Sequence, residues 1–158
     1  MDASMTQIEC PIHSPEYVQN FSCRLHKKSP NSGSKSFSAE FSLRKEVNDV
    51  RGAYVFSFKQ GKSIINYTAM EIDYCQALSA LQSQILFKLI ADELRRVSNF
   101  PLNCPFVMNK RYYVDEFTIN PKVIPSYTPE MIFTSDCNIF IKKRRAMQLT
   151  IHGRVVRR

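Results

Sequence analysis

The chain has 158 residues, enough for one domain with its own core, and its 44% hydrophobic and 23% charged content is that of an ordinary globular protein. A net charge of +8 admits nucleic acid or an anionic membrane as partners, but equally a merely basic protein. Eight prolines, seven tyrosines and eleven phenylalanines without a tryptophan favour a β-rich chain with many turns, and four glycines leave no phosphate-cradling loop.

Residues 1–5 carry no pattern and are expected to be disordered, with a short strand at 6–9. Residues 17–25 read as a strand with Val18, Phe21 and Leu25 as apolar members and Cys23 among them, and 27–35 read as a loop. Phe37, Ala39, Phe41 and Leu43 alternate with polar residues, the period-two signature of a strand with one buried face. A turn at 48–52, a strand carrying Tyr54, Phe56 and Phe58, a turn at 60–63 and a strand at 64–72 extend this into an antiparallel meander.

The stretch from Cys75 to Cys104 changes period. Leu78, Leu81, Ile85 and Leu89 recur at spacings of three and four, and Leu86, Ile90, Leu94 and Val97 widen the stripe. The pattern predicts one long amphipathic helix over about 76–98. Asp73 would cap its start, Asn99 in the left-handed conformation would end it, and Pro101 forbids its continuation. Asp92 and Arg96 stand one turn apart in the favourable order, and Lys88, Asp92 and the three glutamines exclude a membrane span. Strands follow at 112–119, 131–141 and 147–156, the first two separated by a proline-marked connection. The expected fold is mainly β, a single domain over 1–158: an antiparallel sandwich or cup of seven to eight strands with the helix across its open side.

Chemistry-bearing motifs are scarce. The acidic residues are scattered, neither a Gly-x-Ser-x-Gly nor a His-Glu-x-x-His occurs, and the chain is not expected to be an enzyme or to use a cofactor. Five cysteines without a Cys-x-x-Cys pair and three distant histidines argue against zinc and for two disulfides, hence an oxidising compartment. Five cysteines allow fifteen such arrangements, and spacing does not choose among them. Residues 1–7 contain no apolar run, which leaves two readings: a secreted protein whose signal peptide lies outside this sequence, or a cytosolic one with reduced thiols. Asn20-Phe-Ser and Asn66-Tyr-Thr match the glycosylation acceptor pattern.

Lys142, Lys143, Arg144 and Arg145 form a basic run between two strands. It reads as a solvated hairpin tip or as a docking site for an acidic partner or anionic headgroups. Nucleic acid is not an expected partner, because the aromatics fall at alternating, core-facing positions and are not interleaved with the charges. Those aromatics, set against the helix stripe, form either a solid core or the wall of an apolar pocket, and periodicity does not separate the two.

The segments Ile72-Asp-Tyr-Cys75, the helix, Arg95-Arg-Val-Ser-Asn-Phe-Pro-Leu-Asn-Cys-Pro105 and Ile124-Pro-Ser-Tyr127 together resemble an insect family of small secreted proteins of unknown function, domain-of-unknown-function family 1091. That family is similar to the chemosensory CheB proteins and, more remotely, to lipid-recognition domains of the ML and ganglioside-activator kind. The resemblance implies an immunoglobulin-like sandwich or cup, secretion, and a hydrophobic ligand between the sheets. It also implies a Cys75–Cys104 bridge that pins the ends of the helical excursion to one sheet. Cys10 with Cys23, as neighbours in an N-terminal hairpin, is then the expected second pair, with Cys137 free; Cys10 or Cys23 joined to Cys137 stays open.

The expected function is a secreted, non-enzymatic binding protein for a lipid or other apolar small molecule. Its pocket would be walled by Phe37, Phe41, Tyr54, Phe56, Leu78, Leu81, Ile85 and Leu89. The alternative is an interaction module with a solid interior, docking a receptor or an anionic membrane surface through residues 142–145.

Overall fold

The structure, a computed structural model, describes residues 2–27, 36–77, 92–101, 104–118 and 126–157. Eight strands run in order: β1 Asp2–Glu9, β2 Val18–His26, β3 Ser36–Leu43, β4 Val50–Gln60, β5 Ser63–Asp73, β6 Arg111–Thr118, β7 Met131–Ile141 and β8 Arg144–Val156. A single helical turn, α1 Tyr74–Ala77, follows β5, and residues 92–97 are helical again. The strands form two antiparallel sheets, one of five in the order β1-β8-β7-β4-β5 and one of three in the order β2-β3-β6.

Alternation decides which face of each strand is buried. In the large sheet Val50 pairs with Ile141, Tyr54 with Cys137, Phe56 with Ser135 and Phe58 with Phe133, so the even residues of β4 and the odd residues of β7 share one face. Met147, Leu149 and Ile151 of β8 oppose Ile139, Cys137 and Ser135 and lie on that face too. The opposite face carries a polar network: Asp136 Oδ1 accepts hydrogen bonds from Gln148 Nε2 at 2.7 Å and Thr150 Oγ1 at 2.9 Å.

The small sheet packs against the apolar face at one end. There Val18 of β2, Leu43 of β3 and Tyr112 of β6 form a continuous core with Val50, Ile141 and Met147 of the large sheet. Beside it, Phe37 and Val114 pack on Met5 and Ile151, and Leu94, Val97 and Phe100 lie over them.

Several expectations change. Residues 2–5 are not disordered: they extend β1, where Ala3 and Met5 pair with Val155 and Gly153. The meander is broken, since β3 and β4 belong to different sheets and residues 44–49 cross between them. Of the helix predicted over about 76–98, residues 76–77, the end of α1, and 92–97 are helical, and 78–91 lie outside the described residues. Arg96 bonds Glu93 at 2.6 and 3.1 Å and not Asp92, because three residues of separation serve a guanidinium fork as well as four. This pairing holds the Glu93 carboxyl below its ordinary pKa.

Asn99 does not act as a left-handed cap. Its Nδ2 donates to Arg111 O and its Oδ1 accepts from Tyr113 N, both at 2.8 Å, so its side-chain amide extends the backbone pairing of β6. With the Ser98–Val114 bridge, it ties the end of the helical excursion to the small sheet.

Candidate ligand-binding face

Two disulfides frame the interior. Cys75 and Cys104 are bridged, joining α1 to the segment that leads into β6, where Phe106 exchanges backbone hydrogen bonds with Val47. Cys10 is bridged to Cys23, but not within a hairpin: β1 and β2 belong to different sheets, so this bond ties one sheet to the other. Cys137 is free.

Of the eight residues expected to wall a pocket, the four described ones, Phe37, Phe41, Tyr54 and Phe56, lie in separate parts of the interior. Leu78, Leu81, Ile85 and Leu89 lie outside the described residues. Phe37 is buried with Met5, Val114 and Ile151 and lies against Phe117 with ring centroids 5.3 Å apart. Phe41 stacks on Tyr112 at 5.6 Å and meets Phe100 and Phe21 edge-on, an aromatic cluster that fills the space between the sheets. A cavity of about 20 Å³ remains there, lined by Phe41, Leu43, Val50, Phe106, Ile139, Ile141 and Met147. It has room for a water molecule and not for an acyl chain.

Tyr54 and Phe56 belong to a different region. Phe56 stacks on Phe133 at 5.4 Å and, with Phe58 and Met131, packs around Ala3, Phe133 and Val155. All six come from the large sheet. Gly153 is what lets Phe133 lie across the neighbouring strand. A Cβ there would stand 2.5 Å from the Phe133 ring and 2.5 Å from Ser4 O.

One polar group of side chains interrupts this apolar surface. Tyr54 Oη and Ser135 Oγ are hydrogen-bonded at 2.8 Å, and Cys137 pairs with Tyr54 in register. Burial raises the Tyr54 pKa, outweighing the lowering by the Ser135 hydrogen bond, and Cys137 raises it further. Cys137 is half-buried by area, yet its thiol is enclosed deeply enough that burial, aided by the Asp136 carboxylate, pushes its pKa up to about 11. All three groups are neutral near pH 7, suited to orienting a neutral or hydroxylated ligand through hydrogen bonds and not to activating a nucleophile.

Sequence pattern missed Phe133, Ser135 and Gly153. The period-two alternation of β7 marks the first two as inward, but nothing local says that β7 lies beside β4.

The remaining expected sites are exposed. Asn20, with φ 57°, sits at the bulge of β2, and Asn66 lies on β5; each strand is the edge of its sheet. Lys142 and Lys143 form the two-residue turn between β7 and β8. Arg144 is paired with Glu16, while Arg145 Nη2 bonds Gln148 Oε1 at 2.6 Å and His13 Nε2 at 2.7 Å. Half of the basic run is therefore committed to local structure. Among the described residues there is no cluster of metal ligands, and no helix is long and apolar enough to cross a membrane.

Comparison with curated proteins finds no match. A family model described as "Protein of unknown function (DUF1091)" matches residues 51–135, from β4 into β7. That span is just over half the chain and holds Tyr54, Phe56, Phe133, Ser135 and the Cys75–Cys104 bridge, and on this match the chain belongs to the DUF1091 family.

Proposed function

We propose that this protein is a secreted, non-enzymatic binder of a lipid or another apolar small molecule, held against the inner face of the large sheet around Tyr54, Phe56, Phe58 and Phe133. The observation that carries the reading is that this face stays apolar beyond the core shared with the small sheet, interrupted by the Tyr54–Ser135 pair. Apolar burial would supply affinity at about 25 cal/mol per Å², and the paired hydroxyls would select the polar end of the ligand. Two disulfides fit an extracellular protein, and the exposed Asn20 and Asn66 could carry glycans there. An immunoglobulin-like sandwich related to insect chemosensory and ML-type lipid-recognition proteins is the finer fold assignment that goes with this reading.

The test is a fluorescence titration of the disulfide-bonded protein with cis-parinaric acid, a fatty-acid probe. One saturable site, weakened at least tenfold by Phe56→Ala, is the expected result; no saturable binding would overturn the proposal. The alternative, an interaction module with a filled interior, draws its support from the small cavity at the other end and expects no binding.

A further inference from the structure

Four loops converge at the end of the molecule opposite Phe56 and Phe133. Residues 106–110 lie on 43–47 through the Val47–Phe106 backbone pair and the Asn109 N to Leu43 O bond. Residues 14–17 contact the start of β8 through Ser14 and bond Arg44 through Tyr17 O and Pro15 O. The β7–β8 turn touches Asp49 O through Lys142 N. Together the segments 13–17, 44–49, 106–110 and 142–145 carry seven Lys and Arg residues against three acidic ones.

Two further features single out this end. Val107 and Met108 are 44% and 55% exposed, adjacent apolar side chains on a turn that the Tyr112 hydroxyl fixes by accepting from Val107 N at 2.8 Å. Lys110 lies over the Tyr112 ring at 5.5 Å and Lys45 over the Tyr17 ring at 5.3 Å. Lys142 and Lys143 have φ of 50° and 68°, a turn conformation that favours Asn-Gly and that lysine adopts only at a conformational cost. Among the described residues neither ammonium has an ion-pair partner.

We infer that this end docks on an anionic lipid bilayer, Val107 and Met108 entering the interfacial layer while Lys45, Lys110, Lys142 and Lys143 face the headgroups. Lysines gain from the negative surface potential, and protruding apolar side chains gain from the acyl boundary; a purely electrostatic contact with an acidic protein would use only the first. This inference does not depend on what the interior holds.

The experiment is sedimentation of the full disulfide-bonded chain with vesicles of phosphatidylcholine alone and of phosphatidylcholine with phosphatidylserine. Binding is expected only to the second and falls with salt. Lys142→Asn with Lys143→Gly gives the turn its preferred residues, so the variant keeps or raises its Tm while losing about 25-fold in partition, roughly fivefold per lysine. Val107→Ser with Met108→Ser weakens binding without changing its salt dependence. Equal binding to both vesicles, no binding to either, or full binding by the Asn-Gly variant would overturn the inference. In the second case an acidic protein surface becomes the better partner.

Discussion

The two ends of the large sheet share one apolar face but are completed differently. At the end covered by β2, β3 and β6, Val18, Leu43, Val47, Tyr112 and Ile141 are at most 2% exposed, and the cavity lined by Phe41, Leu43 and Met147 measures only about 20 Å³. Toward the β4–β5 turn, Phe133 is buried against Gly153, but Tyr54, Phe56, Phe58 and Met131 are only half-buried. Close packing at the first end is where stability resides, since each lost methylene there leaves a void. The second end combines apolar area with a hydrogen-bonded polar pair, the composition of a recognition surface. On the proposed function, stability and recognition draw on the same strands at different heights.

Substitutions at the two ends should separate these roles. Ile141→Ala, at the filled end, should cost about 3 to 4 kcal/mol in denaturant unfolding while leaving probe affinity unchanged. An equal loss of probe binding in the folded variant would mean that the ends are not distinct. Gly153→Ala should cost less, about 2 kcal/mol, because the Phe133 ring and the β1 backbone must shift. It should nevertheless weaken the probe at least tenfold. Raising the pH gives the smallest effect. The folded Cys137 thiol holds its proton to about 11, above its value in the unfolded chain, so the stability it carries is complete at neutral pH and is lost as pH rises through that range. The loss should be on the order of 2 kcal/mol by pH 11, at 1.36 kcal/mol per pKa unit, and Cys137→Ala should remove it. Tyr54 shifts in the same direction and will leave a residual alkaline slope.

Much of the strand content was legible because alternation is local. Met131–Ile141 appears with the bounds its pattern implies, and Phe37, Phe41, Tyr54 and Phe56 all lie on strands. Pairing was not legible. β1 lies beside β8, and β3 and β4 separate into different sheets, arrangements fixed by contacts far apart in sequence. The same limit hid the candidate site, whose central hydrogen bond joins Tyr54 to a serine 81 residues away. The Cys10–Cys23 pair was expected for the wrong reason, as a hairpin staple and not as a tie between sheets. Asn99 shows a subtler failure: its side chain can serve either a helix end or a strand edge, and only the nearby β6 backbone decides.

Whether the half-buried face around Tyr54 and Phe56 holds an apolar ligand is decided by native mass spectrometry of the protein secreted from insect cells behind a working signal peptide. The expected result is a chain with two disulfides and a dissociable small-molecule adduct that Gly153→Ala loses. A correctly bridged chain without any adduct, still bare after incubation with a fatty acid, would contradict it.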